Sequence, residues 1–372
     1  MNMVALAAIA ALAGGPFLKP SSDRPELDKA AVEIEAQRQL DYVLEVRLAE
    51  EARVEAVADR LLRANAPLCP STGPRLGFSV ASFVGVKGPM KEALIRRWGA
   101  TERLRVVSLS PDGAGASAGL QIGDDLVSVN GAPVAKGKKA HRKWLKQQEA
   151  ILEEKPGTVS VTVERRGELK ELALTPQVAC AYNVVLDADA PELNAYADGR
   201  TIFITRPMYK LAASDDELAL VLAHELAHNA RRHIDAKKRN AAVGMLGGAL
   251  LDVALAATTG VVLSDGGFTK AGAKMGAGAY SPDFESEADY VGLYFMARAG
   301  FTIDGAADFW RKMAAESPSA IFQKGSHPPT AARYVAISAA RAEIASRGPD
   351  LALLTPIEQA KPQRDGPKQA IR

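Results

Sequence analysis

His224-Glu225-Leu226-Ala227-His228 decides how this chain reads, because two imidazoles four positions apart on a helix, with a carboxylate between them, can hold and use one metal ion. At roughly 100° per residue the second histidine returns to the face of the first, one turn along, so both rings converge on one point. Glu225 is turned aside by one helical step, where its carboxylate reaches a water without entering the coordination sphere, which is a general base's position. Upstream, Ser214 reads as an N-cap, Glu217 closes a capping box, and Leu218, Val221 and Leu222 form an apolar stripe, so the pentapeptide sits on a helix.

A third donor is needed. His233 lies about half a turn off the ligand face if one helix continues, and Arg231 stands where a metzincin requires glycine. Glu285-Ser286-Glu287-Ala288-Asp289 opens a second helical pattern, with Tyr290, Val291, Leu293, Tyr294 and Met296 as its apolar positions. Glu285 and Asp289 share a face, which predicts Glu285 as the third ligand and Asp289 as the acceptor for a ligand histidine's other N–H. Glu287 faces away and reads as a solvated carboxylate. Three protein donors and one open corner describe a catalytic zinc site, whereas a structural site is closed by four donors, usually with cysteine. One Zn2+ per chain is the expected cofactor.

At this point the chain resembles the HtpX-like and CAAX-prenyl-protease-type gluzincins of peptidase family M48, and within them the BepA-like envelope members. The resemblance runs through Leu193-Asn194-Ala195-Tyr196-Ala197-Asp198-Gly199 with the strand Thr201 to Thr205, the pentapeptide, Tyr280-Ser281 with Glu285 to Gly292, and Ser326-His327-Pro328-Pro329-Thr330. It covers about residues 180 to 340 and departs at Pro282, where the family carries Arg. It implies His224, His228 and Glu285 as metal ligands and Glu225 as catalytic base. The β-branched run after the Gly199 turn reads as a strand, and an edge strand beside a zinc cleft binds an extended peptide by β-augmentation, with Asn194, Ala195 and Tyr196 at the substrate. His327 precedes two prolines and so sits on an extended loop; given the resemblance, it is expected to approach the metal as a transition-state donor or as a latch.

A second module precedes this core. Residues 74 to 176 look like a PDZ domain: a strand at Leu104 to Val107, a small-residue turn, the Gly123-Asp124 turn, a strand at Leu126 to Val129, and the hairpin signal Asn130-Gly131. Leu76-Gly77-Phe78 is its expected carboxylate-binding loop, through backbone N–H groups around the glycine. The chain's two cysteines, Cys69 and Cys180, flank the module and could staple its neck in an oxidising compartment. Val4 to Ala13 resembles a signal-peptide core with a small-residue cleavage site, although no basic residue precedes it. An envelope location, periplasmic or membrane-associated, is therefore expected over a cytoplasmic one.

A net charge of +2 over 372 residues argues against nucleic acid, and the basic clusters lack the interleaved aromatics of a stacking surface. Residues 241–263 reach membrane-spanning length, but Asp252 at their centre and several glycines favour an amphipathic or lid-like hairpin between the two zinc-binding helices over a span, which leaves peripheral membrane association open. The expected fold class is α+β: a mainly helical gluzincin (zincin) protease core with a small β-hairpin or sheet, plus an inserted β-rich PDZ domain. The expected plan is a signal or anchor segment (1–20), a long N-terminal helix of the protease core (21–73), the PDZ-like domain (74–176), the metallopeptidase core (177–345) and a disordered tail (346–372). Function follows as zinc-dependent endopeptidase action on proteins or peptides, and the competing expectation is a PDZ-bearing scaffold or chaperone-like factor with a latent zinc site.

Overall fold

The computed structural model describes residues 25–154, 157–259, 267–278, 281–322, 328–348, 350 and 353–358. The signal-like segment and His327 lie outside them.

Helix α1 (Lys29–Ala64) is opened by Asp28, whose side chain accepts from the Ala30 amide. It serves two neighbours. Val54, Val57, Ala58, Leu61 and Leu62 on its C-terminal half enter the core built by the C-terminal part of the chain. Leu44 on its N-terminal half instead packs with Ala93 and Leu94 of α2 (Pro89–Trp98), a helix of the inserted module. The expected assignment of this helix to the protease core is thus only half the account: its acidic face also pairs with Arg96 and Arg97 of α2, through Asp41 and Glu45.

After α1 the chain enters the neck, where β1 (Thr72–Arg75) pairs antiparallel with β8 (Gln177–Cys180). Between them lie β2 (Phe78–Ala81), β3 (Arg105–Leu109), β4 (Asp125–Val129), β5 (Ala132–Pro133), β6 (Val159–Arg165) and β7 (Glu168–Leu174), in the order β2-β3-β4-β6-β7, with β5 paired to β4. Short helix α3 (Ala114–Ser117) and α4 (Ala140–Glu153) cover this sheet. Alternating Val159, Val161 and Val163, each fully buried, meet Leu104, Val106, Leu126 and Trp144 in a core of its own. Asn130 and Gly131 both take positive φ, 48° and 75°, as the hairpin signal between β4 and β5 requires. The strand pattern is the one expected of the PDZ-like insert.

Buried Asp59 of α1 ties the two cores together. It accepts from Arg63 and from Ser110 of the insert at 2.7 and 2.5 Å, and from Arg75 in the neck at 2.8 Å. The neck is also closed covalently by a Cys69–Cys180 disulfide.

The second core builds on β9 (Asn183–Asp187), β10 (Ala195–Ala197) and β11 (Thr201–Thr205), with β11 central, parallel to β9 and antiparallel to β10. Ile202 and Ile204 point inward onto the helices. These are α5 (Arg206–Leu211), α6 (Asp215–Ala230), α7 (His233–Thr259), α8 (Gly267–Gly278), α9 (Ser281–Arg298), α10 (Ala306–Glu316) and α11 (Thr330–Ser346). The described part of the stretch 241–263, where a hairpin was expected, is instead one arm, residues 241–259 of α7; the second arm is α8, which packs against it from beyond that stretch, and 260–263 are outside the described residues. Asp252 accepts from the Phe268 and Thr269 amides at 3.1 and 2.9 Å and so caps the start of α8. No helix among the described residues is long and apolar enough to cross a membrane.

The tail departs from expectation in part. Leu354 is buried in the core, its carbonyl accepts from Arg298, and the Ile357 amide donates to Tyr290. One apolar anchor and a few backbone bonds hold 353–358 despite the surrounding prolines and charges.

Candidate metal centre and catalytic cleft

The capping box at Ser214 and Glu217 is formed from both sides, fixing where α6 begins and hence which face its histidines present. Helix α9 crosses α6 at the turn that carries His224 and His228. A Cβ on Gly292 would stand 3.1 Å from the His224 backbone nitrogen, so glycine at this position lets the two helices approach closely enough for side chains of both to share one point.

At that point the His224 and His228 Nε2 atoms are 3.2 Å apart. His224 Nε2 lies 3.4 Å from one Glu285 carboxylate oxygen and His228 Nε2 lies 3.5 Å from the other. Donors at about 2.0–2.1 Å from a tetrahedral zinc ion are separated by about 3.3–3.4 Å, so the three groups already sit near the corners such an ion needs. All three are buried. Together they fit a zinc ion with one corner left over, and neither cysteine is near because both are joined at the neck.

Each imidazole is aimed through its other nitrogen. His224 Nδ1 is 2.9 Å from Asp289, which Arg333 of α11 grips at 2.5 and 2.7 Å, and the guanidinium lies over the Trp310 ring at 3.4 Å. Nδ1 donates to the carboxylate, which leaves the Nε2 lone pair for the metal. His228 Nδ1 is 3.0 Å from His233 Nδ1, and His233 Nε2 is 3.1 Å from Glu287. The proton positions follow from the acceptor at the end: Glu287 accepts from His233 Nε2, His233 Nδ1 accepts from His228 Nδ1, and His228 Nε2 is again free. His233 also stacks on Phe284.

Sequence reasoning found Asp289 and missed Arg333, Trp310 and the part played by His233. The helical-wheel count for His233 fails because Arg232 takes a φ of 57°, ending α6 so that His233 begins a new helix in a new direction. Glu287, expected to be merely solvated, is exposed at its rim but bonded inward to His233. The signal that could have found the pair is a histidine five residues past His228 with a carboxylate two residues past Glu285.

Burial alone would lower the His224 pKa, but hydrogen bonds to Asp289 and Glu285 outweigh it and raise it from the ordinary 6.5 to about 9. At His228 burial prevails and lowers it to about 4. Burial would raise Asp289, yet the Arg333 charge holds it below the usual carboxylate range. In the metal-free chain, stability linked to His224 is complete below pH 6.5 and lost as pH rises through about 9, while the neutral His228 costs stability as pH falls from 6.5 toward about 4. Zinc binding near pH 7 should therefore release about one proton, from His224 and not His228. Calorimetric titration in buffers of different ionisation heat measures that number, and a value near zero or two would contradict the assignment. Replacing His233 by Phe keeps the stack on Phe284 but removes the acceptor for His228, and is expected to weaken zinc binding about 10- to 100-fold in a chelator competition; unchanged affinity would deny His233 that part.

Asn194 and Ala195, on and beside edge strand β10, line a pocket with His224 and Glu225. The pocket holds about 200 Å³; Met208, Leu220, Val221, Phe309 and Met313 make much of its wall apolar, and Asp289 and Arg333 reach it as well. Tyr196, expected beside them, stacks on Phe203 at 4.8 Å on the sheet's outer face. Leu76 and Phe78 bury their side chains in the insert, leaving only backbone for a ligand.

Comparison with known proteins matches residues 162–341 to peptidase family M48. The mitochondrial metalloendopeptidase OMA1 of Saccharomyces cerevisiae is 35% identical over 133 residues, which are 36% of this chain and 36% of that protein. The beta-barrel assembly-enhancing protease of Yersinia pestis is 32% identical over 134 residues, 34% of this chain and 27% of that protein. The chain spans about a third or less of the length of these curated relatives. Among solved structures, the HtrA3 PDZ domain bound to a phage-derived ligand covers 29% of this chain and 90% of that one, at 18% identity and a TM-score of 0.23. The PDZ domain of EpsC from Vibrio cholerae covers 27% and 94%, at 22% identity and a TM-score of 0.18. Likenesses this slight carry no argument, and the description of the insert rests on its own strand order.

Proposed function

We propose that the chain, whose residues 162–341 match peptidase family M48, is a zinc-dependent endopeptidase acting on unfolded or extended protein substrates. The observation that carries this reading is the convergence of His224, His228 and Glu285, the two Nε2 atoms 3.2 Å apart and 3.4 and 3.5 Å from the two carboxylate oxygens, beside Glu225 and an edge strand. His224, His228 and Glu285 would hold the ion, which when bound supplies Lewis-acid polarisation of the scissile carbonyl and a more acidic water. Glu225 takes the proton of the attacking water and passes it to the leaving amine. Strand β10 pairs with the extended substrate backbone, and the apolar pocket accepts a side chain flanking the scissile bond. Asp289 and His233 keep the two imidazoles aimed throughout.

The insert supports a peptide-binding reading through its backbone. The Leu76 and Gly77 carbonyls accept from Gly115 and Ser110 at 2.8 and 2.9 Å. All described peptide bonds are trans, so the Gly77 and Phe78 N–H groups point the opposite way, out of the sheet. Two adjacent N–H groups suit a C-terminal carboxylate. Gly77 is needed there: its φ is 70° and a Cβ would stand 2.7 Å from the Gly113 Cα.

We place the protein in the cell envelope, since its disulfide suits an oxidising compartment. Exposed Leu246, Leu250 and Val253 on α7 and Met275 on α8 suit peripheral contact with a membrane surface. The test of the catalytic reading is cleavage of an unfolded protein such as casein, expected to stop with chelator and return with zinc. A chain that binds peptides yet cleaves none with zinc restored would be the scaffold.

A further inference from the structure

Three grooves among the described residues share walls. The first, of about 430 Å³, runs between β2 and α4 past Gly77, His141 and Leu145, but its outer wall is Val185 and Phe203 of the protease sheet. The second, of about 740 Å³, shares Arg75, Leu145, Gln148 and Asn183 with the first and continues along α4 to Tyr182. The third, of about 580 Å³, shares Glu149, Tyr182 and Asn183 with the second, passes Gly199 and Arg200 just beyond β10, and ends at His228 and Asn229. Asn183 belongs to all three.

Strand order gives the same connection. Among the described residues β2 pairs only with β3, so its other edge is open. On the protease sheet Tyr196, Phe203 and Val185 are cross-strand partners in one row, from β10 at the cleft to β9 at the groove. Tyr196 and Val185 are 43% and 42% exposed and Phe203 between them is half-buried, so the row is an apolar path open at both ends. A β-strand row of three spans only about 10 Å.

We infer that the carboxylate loop of the insert and the metal centre are two ends of one substrate track. A polypeptide ending in an apolar residue seats its free carboxylate on the Gly77 and Phe78 amides, lies between α4 and β9, passes Asn183, and reaches β10 for cleavage. The protease sheet is part of the peptide seat, and the enzyme cuts at a set distance from the substrate's C-terminus. The cleavage half rests on the endopeptidase reading; the shared seat does not.

The test uses the full chain and unstructured peptides of about 20 residues with an apolar C-terminus, as free acid and as amide. Binding is read by fluorescence anisotropy on the Glu225→Gln protein. The acid should bind about tenfold tighter, since the amide loses charge-assisted bonds to two N–H groups. Val185→Arg and Asn183→Trp, both at exposed positions outside the insert, should each weaken the acid about tenfold with an unchanged melting curve. Unchanged affinity in both folded variants would overturn the shared seat, because a self-contained groove would not feel them. With wild-type protein and zinc, mass spectrometry should find the cut bond moving residue for residue when residues are inserted next to the C-terminus. A cut fixed to local sequence, or equal cutting of acid and amide, would overturn the track. Absence of any cleavage would instead count against the endopeptidase reading, with the shared seat decided by the binding data.

Discussion

Replacement of Glu225 by Gln is expected to leave zinc at one ion per chain while lowering the cleavage rate about 10²- to 10⁴-fold. The amide matches the carboxylate in shape, so α6, on which both histidines sit, has no reason to shift. His224 remains aimed by Asp289 and His228 by His233, neither of which involves residue 225. What disappears is a group that can accept a proton at neutral pH and return it, and nothing in the amide replaces that. The comparison requires zinc content by metal analysis beside initial rates on casein, with the wild-type chain treated identically. Wild-type rates in the variant would remove Glu225 from the mechanism. Loss of zinc together with rate would mean that residue 225 supports the site structurally, and the general-base assignment would fall.

The parts of this site that were legible in the sequence are those set by one helix at a time. His224, Glu225 and His228 follow from the helical period, and the Glu285 and Asp289 pair follows from the same rule on α9. The features that escaped depend on where one helix meets another. Arg333 reaches Asp289 from α11 across 44 positions of sequence, and nothing in its own helix marks it as buried. His233 was set aside as a ligand and is not in the ligand group, but its contact with His228 escaped because a single left-handed residue, Arg232, resets the helical count. The insert was readable from turn residues such as Asn130 and Gly131, whose backbone demands are local. Its close seating against β9 was not, since Phe203 read only as an ordinary strand residue and Val185 was not singled out, and both owe their place in the groove to the neck.

That neck makes the disulfide the second large expectation. Reducing Cys69–Cys180, or replacing Cys180 by Ser, is expected to lower unfolding free energy by roughly 5 kcal/mol on the chain-entropy treatment. The cross-link spans 111 positions, so it forbids the unfolded chain the many arrangements open to a free loop holding the whole insert. In the folded state it reinforces a short ladder, β1 on β8, in which Thr72 faces Cys180 itself. Cys180 is 2% exposed, so its serine replacement also leaves a hydroxyl among apolar neighbours, which makes reduction of the wild-type chain the cleaner measurement. Urea unfolding with and without reductant provides it, and a difference below about 1 kcal/mol would mean that the Asp59 node and the strand pairing hold the neck in the unfolded ensemble as well. Reduction carries a second consequence, for the substrate track. The hydrogen bond from Ser110 and the ion pair with Arg75 would still anchor the insert and its neck to Asp59 of α1, but the wall that β9 lends to the peptide groove would be less firmly placed. Reductant should then weaken binding of the free-acid peptide even in buffer where the protein stays folded, and affinity indifferent to reduction would show that the ladder and Asp59 suffice to hold the groove.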